Sequence, residues 1–74
     1  MRISIYTTND GWDALYFDGE LVFEGDVTPA TLMGALMERK IFLEEVEYDN
    51  PSLTPVQNAA IEDEGCFPDK ERDI

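Results

Sequence analysis

The chain has 74 residues, enough for one small core and a single domain. Seventeen acidic residues stand against five basic ones and histidine is absent, giving a formal net charge of −12 at pH 7. Direct binding of bare nucleic acid is excluded on this balance, because that grip rests on Lys and Arg neutralising phosphates. An anionic membrane surface is disfavoured for the same reason.

The chemistry is limited in the same way. With no His, one Cys (Cys66) and two Ser (Ser4 and Ser52), most nucleophile–base and zinc-ligand sets are missing. Cys66 has no His or Lys beside it in sequence and no partner for an intramolecular disulfide. Asp10-Gly11-Trp12-Asp13 and Asp18-Gly19-Glu20 do not fit the alternating acids and terminal Glu of a calcium loop. Paired carboxylates for glycoside hydrolysis exist, but so small a sheet domain offers little cleft for a sugar. The expectation is a protein that is not an enzyme and holds no metal or cofactor. The opening residues MRISIYTT alternate like a strand and form no apolar leader. No run approaches the ~18 apolar residues of a membrane span. A cytoplasmic protein is expected.

Taken in chain order, Arg2 to Thr8 alternates, with Ile3 and Ile5 on one side and Ser4 and Tyr6 on the other, which predicts a half-buried strand. Asn9-Asp10-Gly11 is a turn. Asp13–Phe17 and Glu20–Glu24 are two more strands joined through Asp18-Gly19, a pair suited to the positive φ angles of a type I′ hairpin. Thr28 followed by Pro29 starts a helix, with Val27 placed to staple onto Leu32. Leu32, Met33, Leu36 and Met37 recur at helical spacing as its expected buried stripe, and Arg39 and Lys40 close it. Ile41 to Tyr48 reads as a fourth strand. Thr54, Pro55 and Gln57 then form a capping box for a second helix, which runs to about Glu64 and stops at Gly65. Residues 1–65 make one α+β domain in the order β-β-β-α-β-α: a small, mainly antiparallel sheet with its helices packed on one face. Residues 66–74 are read as a charged tail that frays.

The acids are unevenly spread. Between Arg2 and Arg39 lie seven with no base, and between Lys40 and Lys70 lie eight more. This exceeds the net charge of about 2–8 that solubility asks of a small domain. As a strand, Ile41–Asp49 lines up Glu45, Glu47 and Asp49 in a row about 6.5–7 Å per step, close to the spacing of phosphates on a nucleic-acid strand. A solvated or charge-blunted strand edge produces the same row. Glu62, Asp63 and Glu64 end the second helix against its dipole, a local cost with no local return. Trp12, flanked by Asp10 and Asp13, either caps the core or anchors an interface. Tyr48 is a second aromatic among acids.

The hairpin Leu15–Gly25 followed by a Thr-Pro-capped helix, over roughly residues 12–37, resembles a pattern in small bacteriophage proteins. In size and charge the chain resembles phage-encoded DNA mimics and anti-defence proteins, including anti-CRISPR and anti-restriction inhibitors. That resemblance transfers no functional residue. The charge excess and the two misplaced acidic clusters point to a non-enzymatic inhibitor that occupies the basic, nucleic-acid-binding surface of a host protein, in the host cytoplasm if the chain is viral. Glu44, Glu45, Glu47, Asp49 and Glu62–Glu64 would face Arg and Lys there, with Trp12 or Tyr48 as anchor. The alternatives are a self-associating or assembly module, such as a homodimer, and an antitoxin-like binder of one basic protein.

Overall fold

The computed structural model describes residues 1–74, apart from the side chain of Leu43. Arg2–Thr7 (β1), Asp13–Phe17 (β2), Glu20–Gly25 (β3) and Glu47–Asp49 (β4) form one sheet, and Pro29–Glu38 (α1) and Pro55–Glu64 (α2) are the helices. The α+β class and the element order are those expected. The sheet order is β3-β2-β1-β4; β1–β2 and β2–β3 are antiparallel and β1–β4 is parallel.

The local signals act as their chemistry dictates. Asp18 (φ 50°) and Gly19 (φ 85°) make the hairpin turn with both central residues left-handed. Thr28 caps α1 by accepting from the Thr31 N–H at 3.1 Å. Thr54 and Gln57 complete the reciprocal capping box of α2, which ends at Gly65 with φ 78°. Arg39 ends α1, donating to the Ala35 carbonyl and lying 5.4 Å above the Phe17 ring.

The helices cover opposite faces of the sheet, which corrects the single-face expectation. Ile3, Leu15 and Phe17 pack with Ala35 and Leu36 of α1. Tyr6, Ala14 and Tyr16 pack with Ile61 of α2 and with Phe67. β2 is therefore apolar on both sides, the mark of a strand with a layer above and below it. The buried stripe of α1 is Leu32, Ala35 and Leu36; Met33 and Met37 are exposed, contrary to expectation.

β4 is three residues long, not eight. The Ile41 N–H closes onto the Leu36 carbonyl, and Leu43–Glu45 form a 3-10 turn. The chain thus spends Ile41–Val46 travelling from the end of α1 to the edge of β1. The terminal residues also depart from expectation, because they dock and do not fray. Phe67 is buried, and the Leu21 N–H donates to the Asp69 carbonyl and the Glu71 N–H to the Gly19 carbonyl. Together with the Glu20–Lys70 bridge, these bonds cover the outer edge of β3.

Ser4 is 1% exposed and its hydroxyl has no hydrogen-bond partner among the described residues. An unpaired buried hydroxyl carries its full desolvation cost. Ser4→Ala is therefore expected to stabilise the fold by about 1 kcal/mol, read as a higher urea midpoint. A lower midpoint would show that the hydroxyl has a partner in solution.

Candidate functional site

The strands fix two ends of the molecule. At one end Thr7, Asp13 and Gly25 stand side by side in register, and at the other Ile3, Phe17 and Glu20 do. Four residue steps of β1 separate Ile3 from Thr7, about 13–14 Å at strand rise.

All five basic residues belong to the second end, which also carries Asp18, Glu20, Glu38, Glu44, Glu45, Glu47 and Asp49. Arg2 pairs with Asp49 at 2.6 Å, and Lys70 pairs with Glu20 beside the hairpin turn. Arg72 lines the same cleft as Asp18, Gly19 and Lys70. Arg39 stacks on Phe17, and Lys40 follows it.

The first end carries acids and, among the described residues, no Lys or Arg. Asp10 lies in the β1–β2 turn, Asp13 starts β2, and Glu24 and Asp26 flank Gly25. Glu62 of α2 and its capping residue Gly65 border a shallow cleft with Trp12, Glu24 and Gly25, which sets the last turn of α2, with Asp63 and Glu64, at the same end; Glu64 lines a neighbouring hollow with Cys66, Pro68 and Asp73. At physiological ionic strength the Debye length is about 8 Å. The basic residues one strand-length away are therefore too distant to offset this acidic pole.

Two of its acids are structural. Asp13 accepts from the Thr7 hydroxyl at 2.6 Å and from the Val27 N–H at 3.0 Å. Glu24 accepts at one oxygen from the Trp12 indole N–H (3.0 Å) and from the Phe67 N–H (2.9 Å). The carboxylates of Asp10, Asp26, Glu62, Asp63 and Glu64 have no hydrogen-bond or ion-pair partner among the described residues. These five are the ones free to meet a cation from outside.

The fold therefore does not join the nine sequence-derived residues into one patch. Glu62, Asp63 and Glu64 lie at the acidic pole. Glu44, Glu45 and Glu47 lie at the other end, where the Met1 ammonium donates to the Glu45 carbonyl and the Glu47 N–H to the Met1 carbonyl. The expected row of three is broken: Glu45 is in the 3-10 turn and Asp49 is neutralised by Arg2. Tyr48 is exposed and borders a groove with Ile5, Val27, Pro29 and Leu32. Trp12 is half-buried and stacks edge-on against Phe67 with ring centroids 5.7 Å apart, so it caps the core at the rim of the pole. Asp10 and Asp26 were missed as site residues. Their signal was the hairpin register, which sets the turn after β1 beside the end of β3.

Among the described residues no three His, Cys, Asp or Glu side chains converge as a metal site, and no helix is long and apolar enough to cross a membrane. On the sheet face that packs against α2, Tyr6 donates to Glu71 at 2.5 Å and Tyr16 to the Pro68 carbonyl at 2.6 Å. Burial first, then the Glu71 carboxylate, pushes the Tyr6 phenol well above its ordinary value of 10.0. Burial and then the charge of Glu24 do the same to Tyr16. A raised folded-state value means that the folded form holds these protons more tightly than the unfolded form. Stability from this source is complete below pH 10 and is lost as pH rises above it. The urea midpoint is expected to fall steadily between about pH 10 and 11.5, and a flat profile would contradict the bonding described.

Comparison with protein-family models, with curated proteins and with solved structures finds no match for this chain.

Proposed function

We propose that this protein acts by binding and not by catalysis: its acidic pole docks onto a basic protein surface of the kind that grips nucleic acid, and blocks it. The observation that carries this reading is the segregation of the cations: every Lys and Arg lies at the far end, among acids of its own, and the pole has none among the described residues. Asp10, Asp26, Glu62, Asp63 and Glu64 are unpaired, while the chain's cations sit about a strand-length away. Self-repulsion of this kind destabilises a fold, so its persistence asks for a use. Glu62–Glu64 also oppose the dipole of α2, which local stability alone would not favour. Trp12 supplies a rigid aromatic rim beside the carboxylates.

The finer form of the proposal is a nucleic-acid mimic of the phage anti-defence type, acting in a host cytoplasm. The molecule spans 35 × 21 × 17 Å between Cα atoms, and its length is close to the ~34–36 Å of one duplex turn. Carboxylates presented on a body of that size can occupy a groove shaped for phosphates. The cluster Glu44, Glu45 and Glu47 is a secondary contact, because it lies at the end that holds the chain's cations, with Arg2 paired to the neighbouring Asp49 and the Met1 ammonium on the Glu45 carbonyl.

The test is capture of basic proteins at low salt followed by competition. Bound proteins are expected to be nucleic-acid binders that release this chain when duplex DNA or RNA is added. Affinity is expected to fall at least about tenfold between roughly 0.05 and 0.2 M NaCl. Binding that survives about 0.5 M NaCl and excess nucleic acid would overturn the reading.

A further inference from the structure

Helix α1 has a second face that the fold leaves unused. Ala30, Met33, Gly34 and Met37 fall at i, i+3, i+4 and i+7, one stripe on the side opposite Leu32, Ala35 and Leu36. All four are exposed, Met33 at 44% and Met37 at 74%. From Val27 to Met37 the chain carries no charged residue, in a protein whose net charge is −12. A solvent-facing helix surface without charge is out of keeping with the rest of this molecule. Gly34 adds to the oddity. Glycine weakens a helix interior relative to alanine, and a Cβ placed there meets nothing within 4 Å. No neighbour within the chain calls for glycine at this position.

The ends of the helix say what fits. Asp26 precedes α1 at the acidic pole and Lys40 follows it at the far end, and neither side chain has a partner among the described residues. Arg39 is already engaged with Phe17 and the Ala35 carbonyl. The stripe is also self-complementary about its midpoint. Reversed on itself, it sets Met33 against Gly34 and Met37 against Ala30, a large side chain facing a small one each time. The same reversal brings Lys40 of one copy to Asp26 of the other.

We infer that α1 pairs antiparallel with α1 of a second copy of this chain, through Ala30, Met33, Gly34 and Met37. The interface is isologous, with a two-fold axis between Met33 and Gly34. It spans about two turns of helix, so the dimer is a weak one, with a dissociation constant between about micromolar and about 1 mM. This inference does not rest on docking to a basic protein, because it is read on the chain alone.

Sedimentation of the full chain over a concentration series, at about 0.15 M salt to screen the overall repulsion, tests it. A concentration-dependent monomer–dimer equilibrium is expected. Gly34→Glu and Met37→Glu are each expected to raise the dissociation constant at least about tenfold, with the circular dichroism spectrum unchanged because both positions are open to solvent. Lys40→Asp is expected to weaken pairing, and adding Asp26→Lys to restore it. The inference is overturned if the chain sediments as a monomer up to about 1 mM. It is equally overturned if both Glu variants self-associate as well as the parent chain.

Discussion

Phe67→Ala is expected to lower stability by about 3–5 kcal/mol, the range for emptying a buried aromatic site. Phe67 is 2% exposed, lies against Tyr6, Tyr16 and Ile61, and holds the edge of Trp12. Its loss also frees the chain beyond it, whose bonds to Tyr6, Tyr16 and β3 depend on that anchor. A domain this small has a net stability near the low end of the usual 5–15 kcal/mol. The variant is therefore expected to be largely unfolded at 37 °C. Chemical denaturation of parent and variant measures it directly. A loss under about 1 kcal/mol would mean that residues 66–74 are not part of the core.

The second large effect is at Glu24. One carboxylate oxygen receives two N–H groups, from the Trp12 indole and the Phe67 backbone. Bonds to a charged acceptor contribute about 1.5–3 kcal/mol each and are not additive when shared. Glu24→Ala leaves both donors half-buried and unpaired, and is expected to cost about 2–4 kcal/mol. Glu24→Gln keeps an acceptor in place and is expected to cost about 1 kcal/mol or less. Equal losses in the two variants would show that charge, and not the two bonds, is what the site requires. The pair also separates roles within the acidic pole, because Glu24 holds the fold whereas Asp26 beside it faces solvent.

What could be read from the sequence divides along physical lines. The Asp18-Gly19 turn and the Thr28 and Thr54 caps were legible because each rests on two or three adjacent residues. The length of β4 was not. Phe42, Glu44 and Val46 alternate as a strand does, but alternation says nothing of the distance the chain must cover from α1 to the edge of β1. The docked terminus was hidden by its charge, while Phe67 and Ile74, the residues that seat it on the sheet, stand at either end of the charged run. Coverage of both sheet faces did have a sequence signal. Ala14, Leu15, Tyr16 and Phe17 are apolar without alternation, and all four are buried. Half of the acidic pole was visible in Glu62–Glu64, whose opposition to the helix dipole marked them. Its other half required knowing that α2 ends beside Trp12 and Gly25, a placement that only the fold supplies.

The most direct measurement compares two triply neutralised proteins against one basic, nucleic-acid-binding partner. The first carries Glu62→Gln, Asp63→Asn and Glu64→Gln; the second carries Glu44→Gln, Glu45→Gln and Glu47→Gln. Both change net charge by the same amount, so the general attraction to a cation is matched and only position differs. The first also relieves the C-terminal dipole of α2, so its fold is not weakened. The first protein is expected to bind at least about a hundredfold more weakly than the parent chain, and the second within about threefold of it. Equal losses in both, or a larger loss in the second, would contradict docking through the acidic pole.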